Sequence, residues 1–303
     1  MKANIPLSIQ CVGRLEIALP SPSSAAWNQE VGVFSIERQR SADRLDFFRQ
    51  VEAREQDLHS QNHEKEGYIL RAAEDIGGLR VLFYRSSPVD IYTYNVEAYM
   101  WPGNGGYRLS TTVATGEKPQ VPALLDFVKD MHPIGAGAVA PSGAFCLDGL
   151  YLDKGNQRLL ASMQATIREW HGARAWVSVL ENENSLADEA LDIHYDIERE
   201  RNAAKDILAE DPSTASDPGY PKTVKSLRDG TRDLDGMPGQ ELVWKKVLNS
   251  GVEVYHLRWQ TDTAPNGVTV GMDVGDEDDP VPSPRQEEII ALWDAILSTL
   301  RQR

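Results

Sequence analysis

The stretch that decides the fold is 132–153, HPIGAGAVAPSGAFCLDGLYLD. Its first half places three glycines and two prolines among small residues and has no periodic apolar face. Such a composition favours turns and extended backbone, so we predict a connector. The second half restarts an ordered strand at Ala144 and contains Cys146, one of only two cysteines. The sequence therefore predicts two domains, 1–138 and 139–303.

Length and composition agree with two globular domains. The chain has 303 residues, of which 41% are hydrophobic and 25% charged, values typical of folded proteins. Its net charge of −15 disfavours nucleic acid and anionic lipid surfaces as partners. The same charge can attract a basic protein or serve solubility alone, and the residues leave both open. Because no run approaches the roughly 18 apolar residues of a membrane span, we expect no membrane insertion.

The N-terminal residues bear on localisation. The segment MKANIPLSIQ before Cys11 is too short and too polar for a signal peptide. The sequence is therefore interpreted either as a cytoplasmic protein or as a mature form from which an export signal was removed.

In the first half, hydrophobic periodicity and turn residues predict strands around a long helix. Gly77 and Gly78 favour a tight hairpin because glycine readily adopts positive φ. Ser41 is predicted to cap the long helix, and a short helix begins near Pro122. The predicted strands are 11–19, 31–39, 67–75, 79–85, 91–101 and 107–114, and the predicted long helix is 42–60.

The second half repeats this order. Capping boxes predict a long helix from Ser185 and a closing helix from Ser283, where Gln286 completes the motif. The predicted strands are 144–152, 159–169, 173–180, 223–228, 241–248, 253–260 and 268–274. Each half thus reads as strands, a long helix, an antiparallel meander and a closing helix. We predict an α+β fold of two similar domains, each an antiparallel sheet with a long helix and a closing helix, and interpret it as a structural duplication.

Catalytic and cofactor motifs are missing from the sequence. It contains no G-x-S-x-G elbow, no H-E-x-x-H and no phosphate-binding P-loop. The acidic segment 229–236 resembles a calcium loop, but its carboxylates are out of register with that motif, which favours a solvated turn. We therefore predict no catalytic residues, no metal site and no cofactor.

Two surface segments are candidate contacts for a protein partner. One is the acidic run before the last helix, whose charge suits a basic partner. The other surrounds a Gly-rich hairpin turn, where exposed aromatic residues could serve as anchors, although core burial is the alternative for both of them. The candidates are Asp276, Glu277, Asp278 and Asp279 in the first segment, and Trp101, Asn104 and Tyr107 in the second.

The two cysteines, Cys11 and Cys146, each lie at the start of a strand that opens one half. One disulfide bridge in an oxidising compartment and two buried free thiols are both compatible with this placement.

Four sequence features together resemble one protein family, the type VI secretion lipase-immunity proteins. They span nearly the whole chain, in the right order. These features are Cys11-Val12-Gly13-Arg14 with Pro20, Phe145-Cys146-Leu147-Asp148-Gly149, the segment 236–259, and the loop leading to the terminal helix.

The resemblance implies a function and a partner. Members are two-domain α+β proteins that bind a toxic phospholipase effector with both domains and clamp the region that must move to open its active site. They have no catalytic residues and need no small-molecule ligand, and they act in the periplasm. In that compartment a Cys11–Cys146 bridge is favoured. This sequence departs from full-length members in lacking the export signal.

The alternative is an enzyme of another class, a hydrolase with paired carboxylates in a cleft between its domains. That function requires converging carboxylates with perturbed pKa values.

Overall fold

The computed structural model describes residues 5–21, 25–115, 121–135, 138–153, 157–182, 193–195, 197–199, 201–202, 217–261, 267–276, 281 and 283–303. The long helix predicted from Ser185 lies largely outside these residues.

The fold is α+β, mostly antiparallel sheet with few helices. In chain order the elements are β1 (Leu7–Val12), β2 (Leu15–Pro20), β3 (Ala25–Val31), β4 (Phe34–Gln39), α1 (Arg44–Ser60), β5 (Asn62–His63), β6 (Gly67–Tyr68), β7 (Leu70–Ile76), β8 (Leu79–Arg85), β9 (Thr93–Met100), β10 (Gly106–Ala114), α2 (Val121–Asp130), β11 (Met131–Pro133), β12 (Phe145–Cys146), β13 (Leu150–Leu152), β14 (Leu159–Thr166), β15 (Arg174–Glu181), β16 (Pro221–Thr231), β17 (Gly239–Leu248), β18 (Glu253–Thr261), β19 (Gly267–Val274), α3 (Gln286–Leu297) and β20 (Arg301–Gln302). No helix among the described residues is long and apolar enough to cross a membrane.

Two compact units make up the chain. The central unit is Asn28–Leu160, and the terminal unit combines Met1–Trp27 with Ala161–Arg303. This division differs from the predicted halves 1–138 and 139–303. The first strands join the C-terminal residues because β2 pairs antiparallel with β20, the last strand of the chain.

The central unit is built on an antiparallel sheet with the strand order β4-β10-β9-β8-β7. Helix α1 lies against this sheet through an apolar cluster that includes Phe47, Val51, Leu58, Leu82 and Tyr99. Each of these side chains is less than 5% exposed, so their burial supplies the main stabilisation of the helix. A smaller sheet, β11-β13-β12, contains the second half of the connector sequence.

The terminal unit contains the strand order β16-β17-β18-β19-β15 and the separate sheet β1-β2-β20. Helix α3 buries Ile289, Trp293 and Ile296 completely. The strands β17 and β18 bury Trp244 and Trp259 at 1% and 0% exposure. This unit therefore has a large aromatic core of its own.

Two predicted strands are hairpins instead. The predicted strand 11–19 is interrupted by a turn at Gly13, and the predicted strand 31–39 by a turn at Gly32; both glycines have positive φ, 58° and 60°. At Gly13 a Cβ would lie 2.5 Å from a methyl carbon of Val179. Glycine satisfies both the backbone and the packing there, and the surrounding apolar alternation hid the turns.

Two predicted helix caps are wrong. Asp43, not Ser41, caps α1, because its carboxylate accepts a hydrogen bond from the Asp46 amide at 2.9 Å. The capping box predicted at Ser283 does not form, since its hydroxyl donates instead to the carbonyl of Glu253. Helix α3 starts after Arg285 without a side-chain cap.

Candidate functional site

The Gly-rich turn between β9 and β10 has a structural role within the central unit. Tyr107 is 0% exposed, and its hydroxyl donates to the Asp148 carbonyl at 2.9 Å. The Asn104 side-chain amide donates to the carbonyls of Ile134, at 3.1 Å, and Gly149. These bonds attach the 145–149 segment to the turn, so Tyr107 is not a surface anchor in this structure.

Trp101 is partly buried. Its ring packs on Phe47 with a centroid separation of 5.5 Å, at the border of the cluster beneath α1. The structure thus brings Trp101, Asn104 and Tyr107 to one turn, and it uses all three in packing or hydrogen bonding. A partner could touch only the exposed part of Trp101 or Asn104.

The acidic run before α3 is described only at its first residue. Asp276 is partly exposed and lies two residues after the end of β19. Its Cβ lies 3.0 Å from where a side chain on Gly172 would begin. Glu277, Asp278 and Asp279 lie outside the described residues.

A buried carboxylate in the central unit is fully committed to structural bonds. Glu97 is 3% exposed and accepts hydrogen bonds from the hydroxyls of Tyr99, at 2.7 Å, and Tyr84, at 2.8 Å. The guanidinium groups of Arg54 and Arg108 lie 3.3 and 3.4 Å away. Burial raises the pKa of Glu97, but donors on Tyr99, Arg54 and Tyr84 outweigh it and lower the pKa overall.

The terminal unit has a similar site on β18 and β19. The Asp273 carboxylate is 3.0 Å from His256 Nδ1 and 2.7 Å from the Arg258 guanidinium. Burial raises the pKa of Asp273, yet these two partners lower it strongly overall. Arg258 also lies over the indole rings of Trp176 and Trp244, at 5.2 and 5.6 Å, a cation–π arrangement that fixes the guanidinium.

Helix α3 is joined to the sheet by another carboxylate cluster. Glu241 accepts hydrogen bonds from Trp293 Nε1 at 2.7 Å and from Arg232 at 3.0 Å. Asp294, on the helix, forms a bidentate pair with Arg228 at 2.7 and 2.8 Å. The Arg228 hydrogen bonds lower the pKa of Asp294.

These clusters do not support acid–base catalysis. A carboxylic acid that donates a proton near neutral pH needs a raised pKa, whereas the pKa values of Glu97, Asp273 and Asp294 are lowered. Within the described ranges, no three His, Cys, Asp or Glu side chains converge as a metal site would require. In the segment that resembles a calcium loop, Asp233 accepts from the Gly236 amide and Asp235 from the Gln302 amide. Those carboxylates stabilise the turn and the C-terminus.

An open groove of about 380 Å³ lies beside α1 in the central unit. The Glu55 carboxylate within it is paired with Arg80 at 2.7 Å. The groove is lined by Glu52, Glu55, Gln56, His59, Leu70 and Arg80. Its lining is mixed and charged, and the carboxylate of Glu55 is used in the pair with Arg80.

The loop between β8 and β9 was missed by the sequence analysis. Val89 is 61% exposed and Tyr92 76% exposed, two large apolar side chains at one loop tip. Between them, the Asp90 side chain accepts hydrogen bonds from the amides of Tyr92 and Thr93 at 2.7 and 3.2 Å. Hydrogen bonds from the hydroxyls of Ser86 and Thr93 are the main cause of the lowered pKa of Asp90. The sequence feature that could have identified this loop is the turn Pro88-Val89-Asp90, which has apolar residues beside it.

The cysteines are not free thiols in the structure, and both Cys11 and Cys146 are disulfide-bonded. The guanidinium of the C-terminal Arg303 lies 2.7 Å from Cys11 Sγ and pairs with Glu16 at 3.2 Å. The C-terminus of the terminal unit is therefore fixed beside Cys11.

Comparison with protein families gives two matches that together span most of the chain. Residues 145–303 match the Tle cognate immunity protein 4 C-terminal domain, and residues 8–124 match the Tle cognate immunity protein 4 N-terminal domain. A search of curated proteins finds no significant match.

Three matching solved structures have the same fold as this chain. The crystal structure of the Tle4–Tli4 complex includes a chain that matches with a TM-score of 0.74 and 19% identity, over 98% of this chain and 97% of that one. The apo structure of the immunity protein TplEi of the T6SS from Pseudomonas aeruginosa matches with a TM-score of 0.72 and 19% identity, over 100% and 99%. TplEi complexed with "L" peptide matches with a TM-score of 0.70 and 17% identity, over the same shares. On the evidence of the two family models, this chain belongs to the Tle cognate immunity protein 4 family, whose members are immunity proteins and not enzymes.

Proposed function

We propose that this protein binds a cognate type VI secretion phospholipase effector and inhibits it. The observation that carries the proposal is the pair of family matches, which covers both parts of the chain in order. The match to a chain of the Tle4–Tli4 complex over nearly its full length supports it. Inhibition follows from binding alone, so this protein needs no catalytic group, cofactor or small-molecule ligand.

The proposed mechanism is a clamp. Both domains contact the effector and hold the region that must move before its active site opens. Such a mechanism requires rigid surfaces, because residues that become ordered on binding reduce the affinity. Networks of hydrogen bonds and ion pairs around three buried carboxylates favour rigid surfaces in both units. These carboxylates belong to Glu97, Glu241 and Asp273.

The two units are proposed to be structural duplicates. In the central unit, β4 precedes α1 and a four-stranded meander, β7 to β10, whose last strand returns beside β4. In the terminal unit, β15 precedes the meander β16 to β19, whose last strand returns beside β15. Helices α2 and α3 follow the two meanders. A duplication would give the clamp two arms of similar construction.

Localisation in the periplasm is proposed from the family, since its effectors attack membrane lipid there. A bridge between Cys11 and Cys146 fits that oxidising compartment. The acidic residues Asp276, Glu277, Asp278 and Asp279 are proposed to steer a basic surface of the effector. We propose that three turn residues support the effector-binding surface of this protein by fixing the conformation of the turn. They are Trp101, Asn104 and Tyr107.

A pull-down from the producing organism, read by mass spectrometry, tests the function. We expect one stoichiometric partner with a G-x-S-x-G lipase motif, and its phospholipase activity should fall to background when this protein is added at equal concentration. Turnover of an ester substrate by this protein alone, with no lipase captured, would contradict the proposal. That outcome would favour the alternative function, a hydrolase. The family membership and the lowered carboxylate pKa values argue against that alternative.

A further inference from the structure

We infer that the tip of the β8–β9 loop, residues 86–92, is an anchor that inserts Tyr92 and Val89 into an apolar pocket on the cognate effector. The inference rests on the proposed function and adds a contact site to it. None of the sequence-predicted contact residues lies in this loop.

The tip exposes two large apolar side chains within four residues of sequence. Tyr92 is the most exposed large hydrophobic residue among those described in the structure, at 76%, and Val89, three positions before it, is 61% exposed. Pro88 is exposed beside them. Tyrosine is enriched in interface hot spots because it buries a large area at a small cost in side-chain entropy.

The loop is held in one conformation by its neighbours within the central unit. The Pro88 carbonyl accepts a hydrogen bond from the Glu64 amide at 3.0 Å, and the Tyr92 carbonyl accepts one from Thr115 at 2.6 Å. His63, 3% exposed, bonds to the Asp90 carbonyl through Nε2 at 3.0 Å. Its Nδ1 accepts from backbone amides, so Nε2 is the nitrogen that donates to Asp90.

An ion pair between a buried arginine and a partly exposed glutamate supports the base of the loop. Arg85 is 3% exposed and forms two 2.8 Å bonds to the Glu66 carboxylate. It also donates to the Thr115 hydroxyl at 2.8 Å and lies 3.8 Å from the centroid of the Tyr94 ring. Such a pair is often no more stabilising than apolar packing of equal volume. Its role here is to hold the base of the loop in one position. A loop ordered before binding avoids an entropic cost on binding.

Charge at the tip favours a protein pocket over a membrane. The Asp90 carboxylate is used by Ser86, Tyr92 and Thr93 within the loop, and Arg85 is paired below it. Only Lys65 adds a positive charge on the adjoining hairpin turn. A loop that inserted into anionic lipid would need several cations, and the chain carries a net charge of −15. A rigid tip that exposes apolar side chains and has no cation among residues 86–92, with its one carboxylate hydrogen-bonded inside the loop, matches an apolar pocket on a protein better than an anionic membrane.

Calorimetric titration of the full-length protein with the purified lipase from the pull-down tests the inference. We expect Tyr92→Ala and Val89→Ser each to weaken binding at least tenfold, about 1.4 kcal/mol, mainly through faster dissociation. Asp90→Ala should also weaken binding, because the loop then has to be ordered in the complex. Tyr68→Ala is the matched control: this tyrosine is 48% exposed in the same unit and should leave affinity unchanged.

The outcomes separate the inference from the proposed function. If wild-type protein binds and inhibits the lipase and Tyr92→Ala binds equally well, the anchor is refuted and the function stands. If wild-type protein binds no lipase, both fail. Two other results would overturn the inference, each with an unchanged lipase affinity of the Tyr92→Ala variant. If the wild-type protein binds phosphatidylglycerol vesicles and Tyr92→Ala does not, the tip binds lipid. If the wild-type protein self-associates in sedimentation and Tyr92→Ala does not, the tip binds a second copy of the chain.

Discussion

Replacing Glu97 by alanine is expected to destabilise the central unit more than any surface change. The carboxylate accepts hydrogen bonds from Tyr99 and Tyr84 and pairs with Arg54. Truncation leaves the Tyr99 hydroxyl, on a residue 4% exposed, without its acceptor, which costs about 1–3 kcal/mol. Arg54 loses less, because it is one-third exposed and keeps Asp57 at 3.2 Å.

The expected loss is about 3–4 kcal/mol in the free energy of unfolding. It lies in the lower part of the ~3–5 kcal/mol range typical of breaking a buried ion pair, because water can solvate the guanidinium of Arg54 once Glu97 is removed. For a unit of this size it corresponds to a decrease of about 10 °C in melting temperature. Glu97→Gln keeps one acceptor and the side-chain shape, so its loss should be about half as large.

The pH dependence gives an independent check. The pKa of Glu97 is lowered in the folded state, so its carboxylate stabilises the fold above the unfolded pKa of about 4.3. That stabilisation is lost as the pH falls through the lower folded pKa. The difference in unfolding free energy between wild type and Glu97→Gln should therefore be large at pH 7 and shrink on acidification.

Thermal unfolding and urea unfolding, both followed by circular dichroism at pH 7 and at lower pH, measure the two effects. A Glu97→Ala melting temperature within about 2 °C of wild type, when about 10 °C is expected, would refute the argument that this carboxylate organises the cluster. A wild-type advantage over Glu97→Gln that did not change with pH would refute the argument from its ionisation.

Three further predictions concern packing, the bridge and the turn. Gly271→Ala places a Cβ about 2.2 Å from the Trp176 ring and should cost about 1–3 kcal/mol by overpacking, seen as a lower urea midpoint. Cys11→Ser should leave one free thiol on Cys146, which is 0% exposed and should therefore react with Ellman's reagent in urea without added reductant. It should also cost about 4–5 kcal/mol for loss of a loop longer than roughly 100 residues. Asn104→Ala removes the side-chain donor to the carbonyls of Ile134 and Gly149, of which Gly149 keeps the bond from the Ile134 amide, and should cost about 1–3 kcal/mol, measured by thermal unfolding.

Matched variants control these three predictions. Gly230→Ala, where nothing lies within 4 Å of the new Cβ, should leave the urea midpoint nearly unchanged; an equal loss at both glycines would contradict the packing argument. Two reactive thiols in the oxidised wild-type protein would exclude the Cys11–Cys146 bridge. Asn104→Asp keeps the side-chain shape without the donor, so a fully stable Asp variant would show that the two carbonyl bonds do not matter.

Local sequence signals predicted the elements whose structure depends on near neighbours. The meander strands β8, β9, β10, β17, β18 and β19 were predicted within a few residues, because alternating burial and turn glycines are local properties. Helix α1 was predicted at 42–60 from hydrophobic periodicity and lies at Arg44–Ser60. The partner-binding loop of Val89 and Tyr92 was missed, because exposure of an apolar side chain is not visible in its own local pattern.

The sequence by itself determined the α+β class, the two-part organisation and, through short motifs spread along the chain, the family. Only the tertiary structure decided that Leu15 pairs with Gln302 and that Tyr107 is buried. It also decided that Ser283 bonds to the Glu253 carbonyl in place of capping its helix. The reason is the same in each case: these contacts join residues far apart in sequence, and their free energy depends on burial and hydrogen-bond partners that a local pattern does not contain.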